Sequence, residues 1–205
     1  MDIKNFNVLI VGVGGQGVIS AIQILTKAAL LQNYKVRTAE THGMAQRGGS
    51  VASFLRFGYN IEGPLIAKGN CQVIIAFEAS EAVRYFNYAD SNTSFFVNSK
   101  IIVPPTVHSM DMKYPNIERI QEFLHQVSPN VFFVNGHEES LKVGNPRTLN
   151  IFMLGFLLGS GKLPITKKAL TKSIMMFIPE KYHKINEIAF KNGIEKARYI
   201  RSEKK

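Results

Sequence analysis

The run Val8-Leu-Ile-Val-Gly12-Val-Gly14-Gly15-Gln16-Gly17 constrains the fold of this chain more than any other stretch. An apolar strand runs into four glycines and then into a helical pattern. Val, Leu and Ile at both alternating positions belong to a strand covered on both faces of a sheet. Backbone stripped of side chains at the strand-to-helix turn can lie against a phosphate, with amide N–H groups and the positive end of the helix directed at it. Gly12, Gly14 and Gly17 satisfy G-x-G-x-x-G, the spacing of dinucleotide-binding turns, and Glu40 stands where such a fold carries the acid that binds a ribose. The plainer alternative is that the glycines only let strand and helix pack closely.

Hydrophobic periodicity places further elements along the chain. Strands are predicted over 6–13, 34–40, 50–57, 72–77, 94–97, 100–103 and 131–134, with a turn at Asn98-Ser99 and a loop at Pro104-Pro105. Helices are predicted over 16–32, 80–88, 117–127, 148–158, 166–177 and 181–200. The strand at 50–57 follows 34–40 with no helix between them, so the sheet is expected to be mixed. The pattern predicts an α/β fold: a three-layer, Rossmann-like single domain over residues 1–205, with a mixed, mostly parallel sheet and a helical C-terminal third.

Composition excludes several classes. The one cysteine, Cys71, rules out an internal disulfide framework and any cysteine-built iron–sulfur or metal site in this chain. The apolar run 149–158 is too short to cross a bilayer, and the first residues lack the basic-then-apolar pattern of a secretory leader. The expectation is a cytoplasmic protein without membrane attachment. The net charge is +10, and 162–205 holds twelve of the Lys and Arg residues against four acids. Such a segment could meet nucleic acid or an acidic partner. Its charges stand beside apolar residues at helical spacing without interleaved exposed aromatics, so it reads as a solvated helical face and no nucleic acid is expected.

A nicotinamide-dependent oxidoreductase needs more than the glycine turn. No His/Asp or Lys pair for a hydride site is evident, and no separate substrate domain follows. Instead, Glu40 leads into His42-Gly-Met-Ala-Gln-Arg-Gly-Gly49, in which His42, Gln46 and Arg47 supply hydrogen-bond donors. Arg47 can make a two-pronged contact with a phosphate or carboxylate, or an ion pair across a subunit interface. Glu40 can hold a ribose or fix the segment after it, and Met44 can pack or meet an aromatic ligand.

With these residues the chain resembles the gamma-type subunit of 2-oxoacid:ferredoxin oxidoreductases, in particular the indolepyruvate branch. The resemblance spans nearly the whole chain. It rests on Gly12-Val-Gly-Gly-Gln-Gly17, on Glu40 to Val51, on Pro64-Leu-Ile66, Phe77-Glu78 and Glu81-Ala82, and on Gly144-Asn-Pro-Arg147. Asn150 with Leu154-Gly155 and Asn186 with Ala189-Phe190 complete it. Gln72 departs from the family's usual Asp. The resemblance implies oxidative decarboxylation of an arylpyruvate to an aryl-acetyl-CoA, with electrons passed to ferredoxin. It also implies a large partner subunit carrying thiamine diphosphate, Mg and iron–sulfur (4Fe–4S) clusters, with coenzyme A as co-substrate at or near this chain. On that reading Gly12, Gly14, Gly15, Gln16, Gly17, Glu40 and Gln46 surround the ligand, while His42 and Arg47 are the candidate catalytic residues, His42 positioning the ligand or handling a proton and Arg47 pairing with its anionic groups. A gamma subunit for pyruvate, branched-chain or 2-oxoglutarate substrates is the near alternative. A free-standing NAD(P)-binding oxidoreductase is the distant one.

Overall fold

A computed structural model describes residues 3–41, 49–101 and 114–203. A six-stranded sheet is built from β1 (Phe6–Val13), β2 (Lys35–Thr41), β3 (Ser50–Gly58), β4 (Val73–Ala76), β5 (Ser94–Asn98) and β6 (Val131–Val134). The spatial order is β2-β3-β1-β4-β5-β6. Strands β1, β4, β5 and β6 run parallel, and β3 runs antiparallel to both of its neighbours. The sheet is therefore mixed and mostly parallel, as the missing helix between 34–40 and 50–57 predicts.

Alternation along β1 divides the core. Val8 and Ile10 enter the cluster that packs on α1 (Val18–Leu30), α5 (Leu149–Gly159), α6 (Lys167–Phe177) and α7 (His183–Glu203). Leu9 and Val11 point into the opposite cluster, covered by α2 (Ala79–Arg84) and α3 (Ile117–Val127). Both faces are thus buried, which is what a strand of unbroken Val, Leu and Ile requires. Burial of Val8, Leu9, Ile10 and Val11 is complete. At roughly 1.5–3 kcal/mol for each fully buried aliphatic side chain, β1 is a main stabilising element of the sheet.

The helical third is held by unusually close contact between α5 and α7. A Cβ on Gly155 would overlap the carbonyl oxygen of Phe190, and one on Gly193 would overlap that of Phe152. Only glycine lets the two backbones meet at that distance.

Several expectations are corrected. Asn98 ends β5 rather than forming a turn, and residues 99–101 are not strand; 102–103 lie outside the described residues. The helix predicted over 80–88 stops at Arg84 and gives way to a 3₁₀ turn, Phe86–Tyr88. A helix that periodicity does not predict, α4 (Gly136–Val143), follows β6. Asn135 caps it by accepting from the Glu138 N–H at 3.1 Å, and Gly144 ends it with φ 99°.

Candidate functional site at the sheet switch point

Strands β1 and β4 are parallel neighbours whose following helices, α1 and α2, cover opposite faces of the sheet. Their carboxyl ends therefore part at a topological switch point, the crevice in which open α/β sheets bind ligands. The glycine turn opens there from β1, and Phe77-Glu78 opens there from β4.

The glycines of the turn have distinct tasks. Gly12 is packed so tightly that a Cβ would lie 3.0 Å from Val18 Cγ2 and 3.1 Å from Phe77 Cβ. The Gly14 N–H donates to the Gly49 carbonyl at 2.9 Å, tying the turn to the residue before β3. Gly17 caps α1 in a left-handed conformation, φ 82°. Gly15, φ 100°, is the exposed position, with open space for 4 Å around the point where a Cβ would stand. Gln16 faces inward: its side-chain oxygen accepts from the Val13 N–H at 2.7 Å, and its Nε2 donates to the Phe77 carbonyl at 2.9 Å. Asn98 Nδ2 donates to the same carbonyl at 2.9 Å. One carbonyl thereby joins the ends of β1, β4 and β5.

Glu40 stands elsewhere. Because β3 lies between β2 and β1, Glu40 pairs with Ser53 and sits two strand spacings from β1, roughly 10 Å. A dinucleotide fold places its ribose-binding acid on the strand next to β1, so this topology removes the support that Glu40 lent to a nicotinamide site. His42, Met44, Gln46 and Arg47 lie outside the described residues.

The first turn of α2 gathers a polar cluster that neither spacing nor composition marks as part of the site. Glu78 is fully buried and caps α2, accepting from the Ser80 N–H at 2.9 Å, the Ser80 hydroxyl at 2.6 Å and the Glu81 N–H at 3.2 Å. Its other oxygen accepts from the Tyr114 hydroxyl at 2.6 Å. Burial and the neighbouring Glu78 carboxylate push the Tyr114 phenol well above its usual range, so it remains a donor. Glu81, also buried, accepts from the Ser50 hydroxyl and forms a 3.0 Å ion pair with Arg84. Ser50 opens β3, and Tyr114 stands just before α3. The same helical turn thus fastens two segments at the crevice. Glu78 is legible as a helix cap, an acid after an apolar strand and two residues before Ser80; its burial is not.

Cys71 lies at the opposite end of β4, buried, its thiol pushed up to about 12 by loss of solvation. A lone thiol held protonated does not fit thiolate ligation of an iron–sulfur cluster. Among the described residues, no group of three or more His, Cys, Asp or Glu could hold a metal ion. No helix among them is long and apolar enough to cross a membrane.

Fold and crevice together define a Rossmann-like α/β protein with a topological switch point between β1 and β4. Residues 7–196 match the family described as pyruvate ferredoxin/flavodoxin oxidoreductase, and the chain belongs to that family, as an oxidoreductase subunit. It is 38% identical to indolepyruvate oxidoreductase subunit IorB of Archaeoglobus fulgidus, over 93% of this chain and 94% of that one. The IorB subunit of Pyrococcus horikoshii is 35% identical, over 95% and 97%. Among solved structures, the gamma subunit of a keto/oxoacid ferredoxin oxidoreductase from Geobacter sulfurreducens has the same fold, with TM-score 0.67, 21% identity and coverage of 94% and 98%. A 2-oxoglutarate:ferredoxin oxidoreductase from Magnetococcus marinus, solved with 2-oxoglutarate, coenzyme A and succinyl-CoA, contains the fold within a longer chain. There the TM-score is 0.72 at 18% identity, over 96% of this chain and 31% of that one.

Proposed function

We propose that this chain is the small subunit of an indolepyruvate:ferredoxin oxidoreductase, a cytoplasmic enzyme that oxidatively decarboxylates arylpyruvates to aryl-acetyl-CoA. The reading is carried by end-to-end similarity to subunits bearing the indolepyruvate oxidoreductase name, at 32–38% identity. The string His42 to Gly49 adds to it, since it is the part of the resemblance that separates the indolepyruvate branch from pyruvate or 2-oxoglutarate enzymes.

In the assembled enzyme, thiamine diphosphate, Mg and iron–sulfur clusters on a large partner subunit supply the decarboxylation and the path for electrons to ferredoxin. This chain's residues close and line the cavity. Gly15, open and without a side chain, offers backbone to a phosphate of coenzyme A, next to the positive end of α1. Gly14 and Gly17 shape that turn, while Gly12 and Gln16 brace it from behind. His42, Gln46 and Arg47 supply donors to the anionic groups of substrate or coenzyme A, with Glu40 at the root of their segment. Glu78 and Glu81 hold Tyr114 and Ser50 in place around the crevice.

Co-expression with a large thiamine- and cluster-bearing subunit tests the proposal. The pair should oxidise indole-3-pyruvate in the presence of coenzyme A and an electron acceptor, and neither chain should do so alone. Turnover by this chain alone, or a pair that prefers pyruvate, would overturn it. Within the active pair, Arg47→Ala should raise the KM for coenzyme A or the arylpyruvate and lower kcat/KM by about tenfold or more, the loss expected for a charge-assisted contact. Unchanged kinetics would remove Arg47 from the site.

A further inference from the structure

The bare backbone of Gly15 is held from both sides, and the two holds differ in kind. After it, Gln16 is fixed within the sheet: its N–H reaches the Val13 carbonyl at 3.1 Å, and its side chain bridges Val13 and Phe77. Before it, the Gly14 N–H donates to the Gly49 carbonyl at 2.9 Å. That bond carries the β1–β3 ladder one step beyond the pair Val13 and Ser50. The last rung of a strand pair opens more readily than the rungs inside it, because fewer neighbouring contacts hold it. A hold from outside the ladder is needed to keep the end of β3, and so Gly14 and Gly15, in one position.

Ser50 supplies that hold. It shares its face of β3 with Ala52 and Phe54, which enter the cluster beneath α2. Its hydroxyl donates to Glu81 Oε2, on α2. With the proton committed there, the Tyr85 hydroxyl, 3.4 Å from Ser50 Oγ, is the donor in their contact. The other oxygen of Glu81 accepts from Arg84 Nε at 3.0 Å. Arg84 is largely exposed, whereas Glu81 is 4% exposed. An ion pair with an exposed arginine does not require a buried acid, and burying a charge is costly unless it is paired and hydrogen-bonded. The inward placement of Glu81 is therefore accounted for by Ser50 rather than by Arg84.

We propose that Glu81 is a positioning residue for coenzyme A: through Ser50 and Gly49 it fixes the glycine turn in the form that receives a phosphate. The inference rests on the proposed binding of coenzyme A at Gly15. Glu81 acts on the ligand through the backbone of Gly49 and Gly14, not by contact. Its charge suits the task, since an ionised acceptor holds a hydroxyl about twice as strongly as a neutral one. The relay crosses the switch point from the helix after β4 to the turn after β1, so the two lips of the crevice hold each other in register.

Amide hydrogen exchange at Gly14, followed by NMR on the full chain, tests the relay without reference to turnover. Ser50→Ala and Glu81→Ala should each speed it by about tenfold, and the double variant by no more than either alone, because both remove one contact. Glu81→Gln, which keeps an acceptor, should restore most of the protection. Exchange at Ile10, in the middle of β1, should not change. In the co-expressed pair, Ser50→Ala and Glu81→Ala should raise the KM for coenzyme A about fivefold to tenfold, with kcat and the KM for indole-3-pyruvate within about twofold of wild type. Glu81→Gln should bring the KM most of the way back. Unchanged exchange at Gly14 would overturn the proposal, as would equal acceleration at Gly14 and Ile10, the mark of general destabilisation. Faster exchange at Gly14 with an unmoved KM for coenzyme A would overturn it too. A wild-type pair whose turnover ignores coenzyme A would instead fault the proposed reaction, and exchange at Gly14 would still decide the relay.

Discussion

The β1–α1 turn and the α5–α7 contact are both built on glycine, for different physical reasons. Between α5 and α7 the glycines exist because two backbones touch: at Gly155 and Gly193 a single added carbon would occupy the space of a carbonyl oxygen on the other helix. In the β1–α1 turn, Gly15 has empty space where a side chain would go, and its constraint is conformational, φ 100°. Gly17 combines a mild form of each, φ 82° and an amide of Asn150 beside it. Glycine that fills a packing seam belongs to stability; glycine that leaves a surface bare belongs to whatever approaches that surface.

Three glycine substitutions sharpen the contrast, and unfolding in urea measures them. Gly193→Ala should have the largest effect, roughly 3 kcal/mol, because neither helix can yield without moving its backbone. A loss below about 1 kcal/mol would mean the helices slide apart easily and the seam is not tight. Gly17→Ala should cost about 1–2 kcal/mol, from the left-handed conformation and a methyl 2.8 Å from Asn150 Nδ2. Asn150→Ala in the same chain should recover part of that loss. Gly15→Ala should cost least in stability, about 1 kcal/mol, from its dihedral alone. In the active complex it should still raise the KM for coenzyme A. A Gly15→Ala enzyme with unaltered kinetics would show that the bare surface meets no ligand.

Much of this architecture is legible in the sequence, for reasons that differ by element. β1 is readable because four successive aliphatics can only be buried on both faces, and β3 because Ser50 to Phe57 follows β2 without a helix. The place of β3 is not readable: local pattern fixes that a strand is antiparallel, not which neighbours it separates, so Glu40 resembles a ribose-binding acid until the strand order sets it apart. α4 escapes because only Leu141 and Val143 of its eight residues are aliphatic, too few to set a helical period, although Asn135 with Glu138 and the terminal Gly144 spell its cap and stop. At the site, the glycine turn announces itself through spacing. Glu78 and Glu81 do not, because a carboxylate's burial depends on partners such as Tyr114 that are remote in sequence.

The strand order also bears on how this subunit can join a larger assembly. Among the described residues, the outer strands of the sheet are β2, with Lys35 and Arg37 exposed along it, and β6, which is four residues long. Charged side chains on one margin and brevity on the other deny an incoming polypeptide a template for edge-to-edge extension. On such margins a companion chain is expected to be gripped by side chains and connecting segments rather than by a continued ladder, which keeps the sheet finite.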